Sequence, residues 1–516
     1  MEQISVEEVI SVSRDHRFKE KRTRSKDGYV RCDPMQSKNK IIRNTLALFA
    51  GTAVGNVFSF LLMVCIARTL GDVGVGQYSF LFAFGYLIVI LCNPGMGYLI
   101  IKDVPANKDI TSQYANNILS VKAILAVVSA TAAVLIIVFI KDDTLIVRSF
   151  MIVTVIYMIN SVGSVFGNIL NANERMDLTA LIDVIERAVA LFVGVVLLYI
   201  TRSLLYLVLA LLISNLVKQV LYFIFSRRYF VFGLGIDFAL WKSLFVRSLP
   251  FALSISFLLI YYRIDTVMLS VMVGDQVTGW YNAAYRLIDV VHYIPLLIVA
   301  AILPPMALYS RKDTEVLTDI FNRSFRYLVM LALPIGVGMF LLAPRLILFV
   351  FGEGFQNAAP ALRILIWAEV FAFPNYLGGH LLNMIDRQKI YTVIIGVMAV
   401  FNITLNLLLI PSYAHIGAAV ATLLCQLLVF VLTYSCIGRY FFKVRMWSLA
   451  WRPALASVIM AVLVVKIQFF PVWCIVIAGC LCYFAALFIL GGLNRHDRDA
   501  FYSVLDVVGL DSGRKH

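Results

Sequence analysis

The side chains able to do chemistry in this chain are ionisable and amide groups set inside long apolar runs. Arg263 and Asp265 occupy one run and Arg286 and Asp289 the next; Asp183, Glu186 and Arg187 share another, and Glu369 stands in a fourth. A charge inside hydrocarbon is costly, so it faces a cavity or a partner as a rule. Lys122, Lys218 and Arg68 lie near run ends, where a long side chain can snorkel to the interface or reach into a cleft. The amides Asn56, Asn160, Asn168, Asn375, Asn383, Asn402 and Asn406 can bind sugar hydroxyls, or bridge helices instead. His292 and His380 can relay protons or pack through hydrogen bonds. The sequence has no G-x-x-x-x-G-K-[ST], H-E-x-x-H or G-x-S-x-G, which leaves no case for an ATPase, a metalloprotease or an α/β-hydrolase. A membrane glycosyltransferase or polymerase would show a large polar outer loop, and the longest outer segment, 344–359, is short. The chemistry on offer is recognition and movement of a charged, polar cargo, with no enzyme activity, metal or cofactor expected.

Spacing sharpens this. At a rise of ~1.5 Å per residue, Arg263 and Asp265 lie roughly 12–15 Å from the outer boundary and Arg286 and Asp289 roughly 9–13 Å, so the four share a depth. Arg263 and Asp265 are two residues apart and point away from each other. The four either cross-pair as Arg263–Asp289 and Arg286–Asp265, a clasp between neighbouring helices, or present charge to a passing headgroup. Asp183 and Arg187 at i,i+4 can pair, which leaves Glu186 over. Glu369 has no cation at i±3 or i±4 in its own run. Glu369 and Glu186 are therefore coupling-ion candidates, the alternative for Glu369 being a partner on another helix.

The elements that must position these groups are membrane helices. Of the 516 residues 61% are apolar and 14% charged, against about 25% charged in a soluble domain, and mean hydropathy is +0.88. Apolar runs at 44–68, 77–101, 114–140, 149–170, 179–200, 203–226, 245–272, 280–308, 322–343, 360–384, 390–411, 416–438, 449–466 and 471–492 are long enough to cross a ~30 Å core as helices. Strands are excluded by run length and by the lack of alternation. The first run follows some forty polar residues and lacks an A-x-A site, so it is expected to be a retained span with the N-terminus in the cytoplasm. Loops on the cytoplasmic side then hold residues such as Lys102, Lys108, Arg175, Arg227, Arg228, Arg311, Lys312, Arg387, Lys443 and Arg445, whereas the outer loops hold Lys141, Arg148, Arg202, Arg345 and Lys466. This positive-inside bias fixes the orientation and an even helix count. It also accounts for the net charge of +14 without a nucleic-acid partner. Seven of the eight cysteines lie inside apolar runs, without the grouping of a metal site.

An internal repeat adds organisation. Gly71-Asp72-Val73-Gly74-Val75-Gly76-Gln77-Tyr78 recurs as Gly274-Asp275-Gln276-Val277-Thr278-Gly279-Trp280-Tyr281, both G-D-x-x-x-G-x-Y, at an offset of 203 residues (274 − 71). Glycine-rich turns resemble one another, but the offset aligns the first span with the seventh and favours duplication. The expected layout is an all-α integral membrane protein of about 14 transmembrane helices, two parallel six-helix lobes around a central cleft plus a C-terminal helix pair. The parts are 1–41, a basic cytoplasmic tail expected to be disordered; 42–226, the N-terminal lobe; 227–440, the C-terminal lobe; 441–492, helices 13 and 14; and 493–516, a cytoplasmic tail.

Four stretches carry a resemblance. They are Asn44 through Gly76 with Ala67-Arg68-Thr69-Leu70-Gly71; Ser248-Leu249-Pro250 leading to Arg263, Asp265, Met268 and Leu269; Phe351-Gly352-Glu353-Gly354-Phe355 with Ala358 through Arg363; and Asn402 and Asn406 leading to Pro411 and Gly417-Ala418-Ala419. Across residues 42–440 the chain resembles the polysaccharide transporter branch, Wzx-like O-antigen flippases, of the multidrug/oligosaccharidyl-lipid/polysaccharide exporter superfamily. The resemblance implies a flippase moving a polyprenyl-(di)phosphate-linked oligosaccharide from the cytoplasmic to the outer leaflet by alternating access, in the cytoplasmic membrane and for surface polysaccharide synthesis. Its implied partners are the lipid-linked glycan, membrane lipids, a polysaccharide polymerase and glycosyltransferases, with Na+ or H+ as coupling ion. The cleft candidates are Arg263, Asp265, Arg286, Asp289, Arg68, Lys122, Asn375 and Asn402. A peptidoglycan-precursor flippase and a cation-coupled drug exporter are the alternatives within the superfamily. The mixed signs of the candidate charges do not separate them.

Overall fold

The computed structural model describes residues 34–92, 95–233, 235–310, 313–444 and 446–492. Expectations for the two tails before residue 34 and after 492, and for Arg311, Lys312 and Arg445, lie outside the described residues. The described chain is helical throughout: α1 Pro34–Cys92, α2 Met96–Asp103, α3 Thr111–Ile140, α4 Thr144–Ala172, α5 Met176–Thr201, α6 Leu204–Ser226, α7 Phe238–Met272, α8 Asp275–Tyr309, α9 Thr314–Phe351, α10 Ala358–Met384, α11 Gln388–Tyr440, α12 Met446–Lys466 and α13 Val472–Ile489.

Two of these hold two spans each. Gly71, at φ 69°, breaks α1, and Ala414, at φ 50°, breaks α11. The first break suits glycine, which takes left-handed backbone without a Cβ penalty. The helix content and the two broken helices give the all-α membrane fold of about fourteen spans, and nine of the described helices are long and apolar enough to cross a bilayer by length and composition. Helices run longer than the apolar runs alone suggest. α9 has 38 residues where the run covers 322–343, because its polar first turns extend the helix past a core that ~20 residues span.

In the first half, α1 packs on α5 and α4, and α6 packs on α4 and α5. Gly51 and Gly55 allow the close α1–α5 approach: a Cβ on Gly51 would lie 2.9 Å from the Ala180 Cβ, and one on Gly55 2.7 Å from the Arg187 Cδ. In the second half, α10 is wrapped by α8, α9 and α11, while α7 lies on α11. α12 and α13 pack on α9, where the buried Tyr483 hydroxyl donates to the Met330 carbonyl at 2.7 Å. The halves meet where α1 crosses α7 and α8.

Each end of this junction is tied. At the glycine-turn end Asp72 accepts from Gln276 Nε2 and Trp280 Nε1, both at 2.9 Å, and Asp275 accepts from Lys141 Nζ at 2.8 Å. The two repeat aspartates thus each take a donor from the opposite half. At the other end Arg247 Nη2 donates to Asp103 at 2.6 Å and Nη1 to the Tyr114 hydroxyl at 3.1 Å.

Candidate functional site

An arginine layer lies between the halves and two buried polar nodes lie inside the second half, and they differ from the expected clasp. Arg263 pairs with no carboxylate among the described residues; its guanidinium lies over the Tyr86 ring of α1, 5.6 Å from the centroid. The side chain crosses from α7 to the first half and stays exposed. Tyr86 stands edge-on to Tyr157 of α4, whose hydroxyl donates to the Phe82 carbonyl at 2.9 Å. Arg286 pairs within its own helix, Nη1 to Asp289 at 3.4 Å, and its Nε is buried without a partner among the described residues. Neither expected cross-pair forms. Asp265 points to the opposite side of α7 from Arg263, as two-residue spacing on a helix dictates, and that turns it into the second half's interior.

There Asp265, 4% exposed, is held by neutral donors: Tyr281 hydroxyl at 2.9 Å, Thr422 hydroxyl at 3.0 Å and Asn406 Nδ2 at 2.6 Å. Asn406 also donates to Asn402 Oδ1 at 3.1 Å, and Asn406 Oδ1 is buried without a donor. A carboxylate beside an orphaned amide oxygen and a threonine hydroxyl is an oxygen-rich, singly negative cage, the donor chemistry that suits a small hard cation. Tyr281 and Thr422 escaped the sequence reading. Tyr281 was visible as the last residue of the repeat motif, and Thr422 as a lone hydroxyl four residues after Ala418 on α11.

Glu369 of α10, also a coupling-ion candidate, is answered from another helix. His292 Nδ1 of α8 lies 3.0 Å from its Oε1. His292 Nε2 meets the Tyr376 hydroxyl. Glu186 faces Lys218 at 3.9 Å, which bonds Asp183 more closely at 2.8 Å. The expected Asp183–Arg187 pair is replaced, since Arg187 Nη1 donates to Asn56 Oδ1 on α1 at 2.5 Å.

Three cleft candidates sit elsewhere. Lys122 does not snorkel: it is fully buried in the first half and donates to the Ser161 carbonyl at 3.2 Å and the Ser164 hydroxyl at 2.7 Å. Arg68 is tied to the end of α9, donating to the carbonyls of Phe349 at 3.0 Å and Val350 at 3.3 Å, where a helix leaves acceptors unused. Asn375 is a brace, its Nδ2 donating to the Gln426 carbonyl and Oε1, both at 3.0 Å.

Beside the layer a cavity of about 840 Å³ runs between α1, α8, α9, α12 and α13. Its lining is apolar apart from a few groups, and Arg286 and Asp289 are its charged members among the described residues.

The profile of the family described as polysaccharide biosynthesis protein matches residues 41–310, and the MatE profile matches 250–408. An uncharacterized membrane protein of Methanocaldococcus jannaschii is 30% identical over 162 residues, 31% of this chain and 32% of that protein. The probable low-salt glycan biosynthesis flippase Agl15 of Haloferax volcanii is 23% identical over 165 residues, 32% of this chain and 35% of that one. The chain thus spans about a third of the length of the curated relatives it matches. The solved structure of the lipid II flippase MurJ in an inward closed conformation superposes with a TM-score of 0.72 at 15% identity, over 87% of this chain and 98% of that one. That likeness establishes the fold. The match over 41–310 covers more than half of the 516 residues, and with it this chain belongs to the polysaccharide biosynthesis protein family.

Proposed function

We propose that the chain is a flippase carrying a polyprenyl-(di)phosphate-linked oligosaccharide from the cytoplasmic to the outer leaflet, by alternating access of the cleft between its halves. The observation that carries this is the 840 Å³ cavity, apolar along α9, α12 and α13 and charged where α8 presents Arg286 and Asp289. An apolar channel with an arginine–aspartate pair at one side suits an amphiphile with a long tail and a charged head, the Arg286 guanidinium being the group that would meet an anion. Arg263, lying over an aromatic face and paired with no carboxylate among the described residues, is the second cation a phosphate would recruit. The loop-charge bias supports a glycine-turn end outside and cytoplasmic termini. The names of the glycan flippase and lipid II flippase relatives support the same class of cargo, and glycosyltransferases and a polymerase would supply and consume it. For coupling, the Asp265 cage is the locus whose charge and oxygens fit Na+.

The MatE match over 250–408 keeps a cation-coupled drug exporter as the second reading. The test is full-length protein in liposomes with a fluorescent polyprenyl-diphosphate-linked glycan, scored by a membrane-impermeant quencher. The chain should speed exposure of the glycan. Gly338→Phe, which fills the cavity where an added Cβ meets only Met460 at 4.0 Å, and Arg286→Ala should each slow it. Binding of tetraphenylphosphonium with no effect on the glycan would overturn this reading in favour of the exporter.

A further inference from the structure

The Glu369–His292 couple is used neither by the arginine layer nor by the Asp265 cage. His292 Nδ1 lies 3.0 and 3.2 Å from the two Glu369 oxygens, and its Nε2 meets the Tyr376 hydroxyl and lies 3.4 Å from the Tyr262 hydroxyl. The Glu369 side chain is 6% exposed and that of His292 23%. A cavity of about 30 Å³ adjoins the couple, room enough for water. The titratable groups around it are Tyr261 and Tyr262 from α7, Tyr285 and Asp289 from α8, Tyr376 from α10 and Tyr391 from α11. Asp289 has Arg286 as its own counter-ion, and the tyrosines are uncharged. Among the described residues His292 is therefore the group whose charge can balance Glu369.

We propose that Glu369 and His292 form a proton-binding site, separate from the Asp265 cage, whose charge state decides whether α8 stays docked on α10. Nδ1–H donates to the carboxylate in both states, so the proton is gained and lost at Nε2. Neutral His292 accepts there from the Tyr376 hydroxyl; the imidazolium donates there to a tyrosine oxygen. With the proton bound, the couple is neutral overall and its ion pair holds the two helices together. Without it, a buried carboxylate keeps an uncompensated charge, which low dielectric penalises and which water entering between α8 and α10 relieves. α8 also carries Trp280 of the interlobe tie and Arg286 of the layer, so its undocking reaches both. This deepens the transport reading by naming what drives the helix, but its measurement needs no cargo.

The test is hydrogen–deuterium exchange of the full chain in phosphatidylcholine nanodiscs, corrected for the intrinsic pH dependence of exchange and followed in peptides covering 285–296 and 366–379. Wild type should lose protection in both as pH rises through neutrality. His292→Gln should hold the weakly protected level and Glu369→Gln the strongly protected level, each without pH response. A wild-type response retained in His292→Gln, or absent from wild type, overturns the proposal. His292→Gln is near-isosteric, so the test stands even where Glu369→Gln fails to fold. A glycan assay that fails while the exchange response persists would sink the flippase reading and leave the proton site standing.

Discussion

Gly76 and Gly279, the same position of the two repeat copies, are packed face to face: a Cβ on Gly76 would lie 1.7 Å from the Asp275 carbonyl oxygen, and one on Gly279 would lie 1.9 Å from that of Asp72. The two backbones touch with nothing between them. Each glycine thus meets the aspartate of the other copy, so the two copies are surfaces that fit each other. Gly71 and Gly274, both at positive φ, set the chain entering each surface.

Because the obstructing atoms are backbone, an added methyl cannot be absorbed by a rotamer change. Gly76→Ala and Gly279→Ala should each destabilise the joined arrangement by about 1–3 kcal/mol, the usual cost of overpacking. The double variant should cost less than the sum, since one separation relieves both clashes. Thermal unfolding of the purified protein measures this. Gly354→Ala, with no atom within 4 Å of its added Cβ, is the control and should be silent.

The Arg263–Tyr86 contact predicts the outcome of a charge swap. Arg263 does not pair with Asp289, so Asp289→Arg should fail to rescue Arg263→Asp, and it should add a cation beside Arg286. Arg263→Ala and Tyr86→Leu should instead be coupled, with an interaction energy of about 0.5–2 kcal/mol, the range for a cation over an aromatic face. A double-mutant cycle on unfolding midpoints reads it. Rescue by the swap would restore the cross-helix clasp.

What was legible in the sequence follows from the range of each interaction. Run length and loop charge are local sums, so a count of about fourteen spans could be anticipated. Partners were not legible. Glu369 finds His292 across 77 residues, Asp265 finds Asn406 across 141, and Arg187 finds Asn56 across 131. Pairing rules within one helix supplied Asp183 with Arg187, whereas the fold offered the nearer Lys218. Lys122 was misplaced because nearness to the start of an apolar run says nothing about which face of the helix is turned inward.

The segment joining the halves is latched to α3 by Ser112, Asn116 and Asn117. Asn117 Oδ1 accepts from the Asp237 amide and from Trp241 Nε1, both at 2.9 Å, and a Cβ on Gly235 would lie 2.6 Å from the Asn117 amide nitrogen. Asn117→Ala orphans two donors and should cost about 1–3 kcal/mol. Faster hydrogen exchange at 235–241 with α4 unchanged would locate the loss; unchanged exchange there would show that the latch does not hold the segment.

The Asp265 cage separates a structural role from a cation-holding one. Asp265→Ala removes the shared acceptor of Tyr281, Thr422 and Asn406, although Thr422 keeps the Ala418 carbonyl and Asn406 keeps Asn402 Oδ1; the lost bonds and the cavity left behind should destabilise this variant whatever the cage does. Asp265→Asn keeps the shape and one acceptor oxygen but removes the charge. If the cage holds Na+, binding to the folded state adds stability by mass action, and wild type should unfold at a higher temperature in sodium chloride than in choline chloride of equal ionic strength. Asp265→Asn should lose that difference, and Thr422→Val should reduce it. Glu369→Gln should keep it, because Glu369 is answered by His292 and makes no bond to the cage among the described residues. An equal sodium effect in wild type and Asp265→Asn would mean that the cage is a brace between α7, α8 and α11, and that any cation acts elsewhere.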